Sequence, residues 1–252
     1  MLASDSPRDF AGLVDAIIEF YDAVGCRPTW FSGLTRTWKP GSKAFRPKAF
    51  REFVLNPAAE TLHLGPKGAT EHVIDCYLRI GDAKFEPYVQ RWVTLTATDL
   101  KFDNPALRTL LARWIDLYPI AQGAIGAFRS LAYAAQECSF SGAVSPKELD
   151  ERTQARLHED QMLSGRFLRR VRRLYPITIF GPKLWAELPP MPALDPMPVV
   201  ESVGDCKLLH AWPTLVEPRD PEFLAGTTEL RRWLWPYTIQ NPADAIEPEK
   251  TP

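Results

Sequence analysis

Long apolar runs are missing from this sequence: none approaches the roughly 20 residues that a membrane-spanning helix needs. Net charge is missing too, because 30 basic residues meet 31 acidic ones. A formal charge of −1 gives no whole-molecule attraction to nucleic acid or to an anionic lipid surface. Neither class of partner is expected. Cysteines are few and scattered, and Cys26, Cys76, Cys138 and Cys206 form no C-x-x-C pair, which argues against structural zinc and a dense disulfide framework. The four histidines, His63, His72, His158 and His210, fall in no metal-ligand spacing. No G-x-G-x-x-G, Walker A or G-x-S-x-G signature occurs, so neither a metal nor a cofactor is expected. The stretch from Met1 to Arg8 is polar and lacks a secretory hydrophobic region, which leads to the expectation of a cytoplasmic protein.

What is present is proline and tryptophan. Twenty-four prolines and eight tryptophans in 252 residues call for many short, rigid loops. Phe10, Leu13, Val14, Ile17, Ile18, Tyr21 and Val24 recur at the spacing of one helix face, with Ser6 as the N-cap and Gly25 as the stop. Residues 28–66 are irregular and read as short strands and loops. Residues 72–81 and 88–102 are rich in β-branched and aromatic residues and read as a hairpin. Asn104 and Pro105 open a second helix that buries Leu107, Leu110, Leu111, Trp114, Ile115 and Tyr118 and stops at Pro119. Strands are expected at 123–140, 175–181 and 206–212, a charged helix from Ser145, and a last helix at about 228–235. Hairpin-linked strands that do not alternate regularly with helices predict an α+β fold, a mainly antiparallel sheet with helices packed on it. A ferredoxin-like duplication is compatible with that pattern. The expected organisation is one domain over residues 1–240 and a flexible acidic tail over 241–252.

Four local features carry chemical weight. Cys206 follows Asp205 and precedes His210 by four positions, which on a strand puts the two side chains on one face but roughly 13 Å apart. A buried thiol and an interfacial imidazole are the plainer identities. Residues 166–173 hold five arginines, read either as the cationic end of a helix or as an anion-binding or protein-docking strip. Residues 188–198 hold five prolines, read as a rigid connector over their own domain or as a polyproline strip for a partner. A Leu-Tyr-Pro-Ile theme at 117–120 and 174–177 returns as Trp235-Pro236-Tyr237, where proline ends a helical stretch and an aromatic covers the junction.

From about Arg169 to Asp244 the strings become distinctive: Leu-Tyr-Pro-Ile-Thr, Gly-Asp-Cys-Lys at 204–207, Ala-Trp-Pro at 211–213, and a Trp-Leu-Trp-Pro-Tyr-Thr-Ile-Gln-Asn-Pro ending. On these runs the chain resembles a family of uncharacterised myxobacterial proteins. In layout it is also similar to immunity proteins that neutralise toxins of contact-dependent or type VI secretion systems. That resemblance implies a cytoplasmic binding protein with a cognate toxin as its partner, no cofactor and no catalytic residue, acting by occlusion of the toxin's active site. A toxin that handles nucleic acid calls for an acidic contact patch, which nominates Glu201, Asp205, Glu217, Asp220 and Glu222, with Trp212, Trp233 and Trp235 as candidate anchors. The alternative is an enzyme with a dispersed site around Cys206 and His210, and a third reading is a structural subunit with a large apolar patch.

Overall fold

The computed structural model describes residues 2–4, 10–25, 28–35, 41–55, 59–65, 74–79, 91–97, 101–117, 120–127, 170–171 and 173–238. The chain divides into two compact units, Met1–Ile120 and Ala121–Pro252, and each is described by itself. The acidic tail expected over 241–252, the helix expected from Ser145 and most of the strand expected over 123–140 lie outside the described residues.

The first unit holds β1 (Leu2–Ser4), α1 (Phe10–Ala23), β2 (Trp30–Thr35), β3 (Gly41–Ala44), α2 (Pro47–Val54), β4 (Ala59–Gly65), β5 (Ile74–Arg79), β6 (Arg91–Ala97) and α3 (Pro105–Leu117). Its strands run β3-β2-β4-β5-β6-β1, and every pairing is antiparallel. β5 and β6 pair from Ile74↔Ala97 to Arg79↔Trp92, as their alternation predicts. The apolar face of α1 buries Val14, Ile17, Phe20 and Tyr21, and Gly25, at φ 70, ends the helix in the left-handed conformation that favours glycine. Asn104 caps α3, its Oδ1 accepting from the backbone N–H of Ala106 at 2.9 Å and of Leu107 at 3.3 Å. Leu110, Leu111, Trp114 and Ile115 are the buried residues of α3. Ion pairs from Asp15 to Arg51 and from Glu19 to Arg113 tie α1 to α2 and to α3.

Helix α2 corrects the reading of residues 28–66 as strands and loops alone. Pro47 occupies its first turn, where a missing N–H costs nothing, and only Phe50 and Val54 are buried. One short turn of apolar residues is too little periodicity to read from sequence. Tertiary packing supplies the rest: the Phe50 ring meets Phe31 edge-on at 5.7 Å and Phe45 at 5.5 Å.

The second unit holds β7 (Gln122–Ile125), β8 (Ile177–Phe180), α4 (Pro182–Glu187), β9 (Val199–Val203), β10 (Cys206–His210), α5 (Pro221–Gly226), α6 (Thr228–Leu234) and a 3-10 turn (Trp235–Tyr237). The strand order is β7-β8-β10-β9, again antiparallel throughout. The two units differ in strand number and order, so the described residues lend no support to a ferredoxin-like duplication.

The register divides this sheet into two faces. Phe180 and Leu209 lie on one face and join Val171, Leu174, Leu184, Phe223, Leu230 and Leu234 in a core beneath α4, α5 and α6. Ile177, Ile179, Cys206 and Leu208 lie on the other face and are buried as well. β8 is therefore buried along its whole length, which explains its continuous apolar run. Leu188, Met191 and Leu194 of the proline-rich stretch pack against the core, so up to Leu194 this stretch covers its own unit.

The arginine strip is described at Arg170 and Arg173. The chain there is a bend followed by a bridge between Val171 and Thr238, where the sequence suggested a helix end. Arg170 Nη1 donates to the carbonyls of Pro236 at 3.0 Å and Thr238 at 3.4 Å, and the backbone N–H of Val171 donates to Tyr237 at 2.8 Å. The Arg170 carbonyl in turn accepts from the buried Gln122 side chain at 2.8 Å. This arginine closes the unit's backbone bonding and has a structural task.

Candidate functional site

The sequence Val-Val-Glu-Ser-Val, Gly-Asp, Cys-Lys-Leu-Leu-His folds as a two-residue hairpin. Val203 faces Cys206 across the turn, and Gly204 takes φ 53, the positive value that tight hairpin turns demand of their first residue. Asp205 is exposed in this turn. On one face of the hairpin, Glu201 opposes Leu208 and stands diagonal to His210. The Glu201 carboxylate meets His210 Nε2 at 3.1 Å, with both side chains partly exposed. On the opposite face Lys207 Nζ donates to Ser202 Oγ at 2.7 Å. Both long polar side chains of the hairpin are therefore held across the strands.

The remaining nominated residues gather at the start of α5. The Asp220 carboxylate accepts from the backbone N–H of Glu222 at 2.9 Å and of Phe223 at 3.2 Å, which makes it the helix cap. Glu222 is exposed in the first turn of that helix, and Glu217 is half-buried just before it. The Trp212 ring stands edge-on to Phe223 at 5.8 Å and 89° and lies against Gly226. Its position is set by packing, as is that of Trp233, which lies partly buried against the same core. The structure thus groups Glu201 with Asp205 and His210 on the hairpin, and groups Asp220, Glu222 and Trp212 around α5.

Cys206 is 2% exposed, and burial pushes its thiol up from 9.0 to about 11, with the neighbouring Asp205 charge adding to the rise. A cysteine nucleophile needs the opposite perturbation, toward thiolate at neutral pH. His210 lies four positions along the same strand and is engaged by Glu201, so the two do not form a thiol–imidazole pair. Among the described residues, no three His, Cys, Asp or Glu side chains group to hold a metal ion. No helix among them is long and apolar enough to cross a membrane.

One feature of the hairpin was not read from the sequence. β9 is the terminal strand of the second unit's sheet, and Met197, Val199 and Val200 beside and within it are 54%, 63% and 36% exposed. They are three of the four large hydrophobic residues exposed among the described residues. The signal was available: a Gly-Asp pair between two runs rich in β-branched and aliphatic residues marks a hairpin, and the five prolines upstream obscured it.

No family model matches the chain. No curated protein matches it either. Among solved structures, a Pseudomonas aeruginosa T6SS protein is similar to it with a TM-score of 0.58 and 13% identity, over 95% of this chain and 72% of that one. At that identity the likeness is one of fold.

Proposed function

We propose that this chain is an immunity protein: a cytoplasmic protein that binds one cognate toxin of a type VI secretion system and holds it inactive by covering its active site. The observation that carries this reading is the fold shared with a T6SS protein over 95% of the chain. The state of Cys206, buried and protonated at neutral pH, favours a binding role over the competing thiol-enzyme reading. Glu201, Asp205, Glu217 and Glu222 supply acidic side chains for the toxin surface, while Asp220 caps α5 and Trp212 packs on Phe223. The distinctive C-terminal strings support membership of the myxobacterial family named above.

A protection experiment tests this. The toxin candidate encoded beside this gene is expressed in a susceptible host with and without the chain, and the two proteins are then co-purified. Restored growth together with a stable complex is the expected result. Unrestored growth and no complex, with the chain folded and soluble, would refute the assignment.

A further inference from the structure

The edge of β9 has a backbone geometry that selects its occupant. In a two-residue hairpin the pair flanking the turn exchanges both backbone bonds, and bonded and non-bonded pairs then alternate. Val203 with Cys206, Glu201 with Leu208, and Val199 with His210 are therefore the bonded pairs. Val200 and Ser202 turn their N–H and C=O groups away from β10, toward the free edge of the sheet.

Exposed edges of this kind are normally blunted by a bulge, a lysine or a proline. β9 has none of these between Val199 and Val203: its register with β10 is unbroken, and its prolines stop at Pro198. Two exposed valines follow instead, on opposite faces of the strand. A strand laid along this edge would satisfy four outward backbone groups and cover Val199 and Val200 together.

Charge narrows the choice of occupant. Between Asp195 and His210 the chain carries Asp195, Glu201 and Asp205 against Lys207, so the edge is acidic. A second copy of the same edge would set these acids against one another, and like charges facing across strands are destabilising. The complementary occupant is an extended segment with basic side chains among apolar ones.

We propose that β9 is the docking edge for the partner, which adds an extended, basic and apolar segment to the sheet as a fifth strand beyond β9. This inference rests on the immunity reading and says how its complex is made. Glu201 and Asp205 then act at the rim, steering the basic segment into register, and Met197, Val199 and Val200 form the apolar centre.

The test uses the full chain and, as its probe, a catalytically inactive form of the toxin encoded beside the gene. Affinity is measured by calorimetry for the wild type, Val200→Pro and Val200→Lys. Proline at 200 removes only an outward N–H, so the hairpin bonds to β10 are kept, and unchanged circular dichroism verifies this. Lysine at 200 leaves the backbone intact and places a gatekeeper charge on the edge, so it reads the same surface if the proline variant fails to fold. Both variants are expected to bind about tenfold more weakly or worse, equivalent to about 1.4 kcal/mol. The amides of Val200 and Ser202 should exchange hydrogen more slowly in the complex, and Asp205→Asn should flatten the salt dependence of the association rate. A complex that forms with wild-type and both folded variants within about twofold of one another, with those two amides unprotected, overturns the edge and leaves the immunity reading standing. No complex with the wild type overturns both.

Discussion

Replacing Gly226 by alanine would ordinarily stabilise a helix, and here we expect the opposite. A Cβ built at this position lies 2.5 Å from Trp212 Cζ3 and 2.6 Å from Cη2, more than 1 Å inside ordinary carbon contact. Gly-to-Ala at a compatible position gains about 0.4–1 kcal/mol, chiefly by restricting the unfolded chain. Overpacking of a filled site costs about 1–3 kcal/mol. The indole has little room to yield, because its ring is already seated edge-on against Phe223, which is fully buried. Steric cost therefore wins, and Gly226→Ala should lose about 1–2 kcal/mol, or roughly 2–4 °C of melting temperature per kcal/mol for a chain of this size. The decisive measurement is the same substitution in a Trp212→Leu background, where the clashing ring atoms are gone. There Gly226→Ala should become neutral or stabilising, giving a coupling of about 1–3 kcal/mol in urea melts followed by far-ultraviolet circular dichroism. An equal effect in both backgrounds, or a stabilising effect in the wild type, would refute the reasoning.

Three further outcomes follow from local geometry. Asp220→Ala should cost about 1 kcal/mol through loss of the α5 cap, and Asp220→Asn should restore most of it, read from urea midpoints. The folded-state pKa of Cys206 is raised from 9.0 to about 11, so its contribution to stability is constant below pH 9 and is lost as pH rises toward 11; Cys206→Ala should remove that alkaline slope, and iodoacetamide at pH 8 should leave the native thiol unmodified by peptide mass mapping. Because the Glu201–His210 pair is partly exposed, Glu201→Gln should change stability by less than about 1 kcal/mol, whereas a loss of several in a thermal melt would show that the pair is far less screened than its exposure suggests.

Long periodic segments were legible in the sequence and short ones were not. The helices Phe10–Ala23 and Pro105–Leu117 repeat their apolar spacing over three turns or more, and the strand pair Ile74–Arg79 with Arg91–Ala97 shows enough β-branched residues to be read as such. Helices Pro47–Val54, Pro182–Glu187 and Pro221–Gly226 each start on a proline and span about two turns or fewer, so their buried residues number one or two and only packing identifies them. The nominated acids were real surface features in part: Asp205 and Glu222 are exposed, but the Asp220 carboxylate is already engaged as a helix cap. An N-cap aspartate and a surface aspartate look alike in sequence until Pro221 beside it is recognised as the first turn of a helix. Edge exposure at Val199 and Val200 depends on which strand ends the sheet, and strand order is a property of the whole unit that no local string encodes.

The bonds from Arg170 to Pro236 and Thr238 also tie the start of the described C-terminal segment to its end. They join residues 66 and 68 positions apart, a loop whose closure alone costs about 4 kcal/mol of chain entropy. Until that loop shuts, Val171 lacks its bridge to Thr238, and the core that holds Leu174, Phe180, Leu230 and Leu234 is incomplete. On a ribosome, the strands Gln122–Ile125 and Ile177–Phe180 emerge long before residues 235–238 exist to receive Arg170. The contacts that Arg170 and Val171 make in the finished unit are therefore among the last that synthesis allows, because they need the short stretch of tryptophan, proline and tyrosine at 235–237 and Thr238 after it.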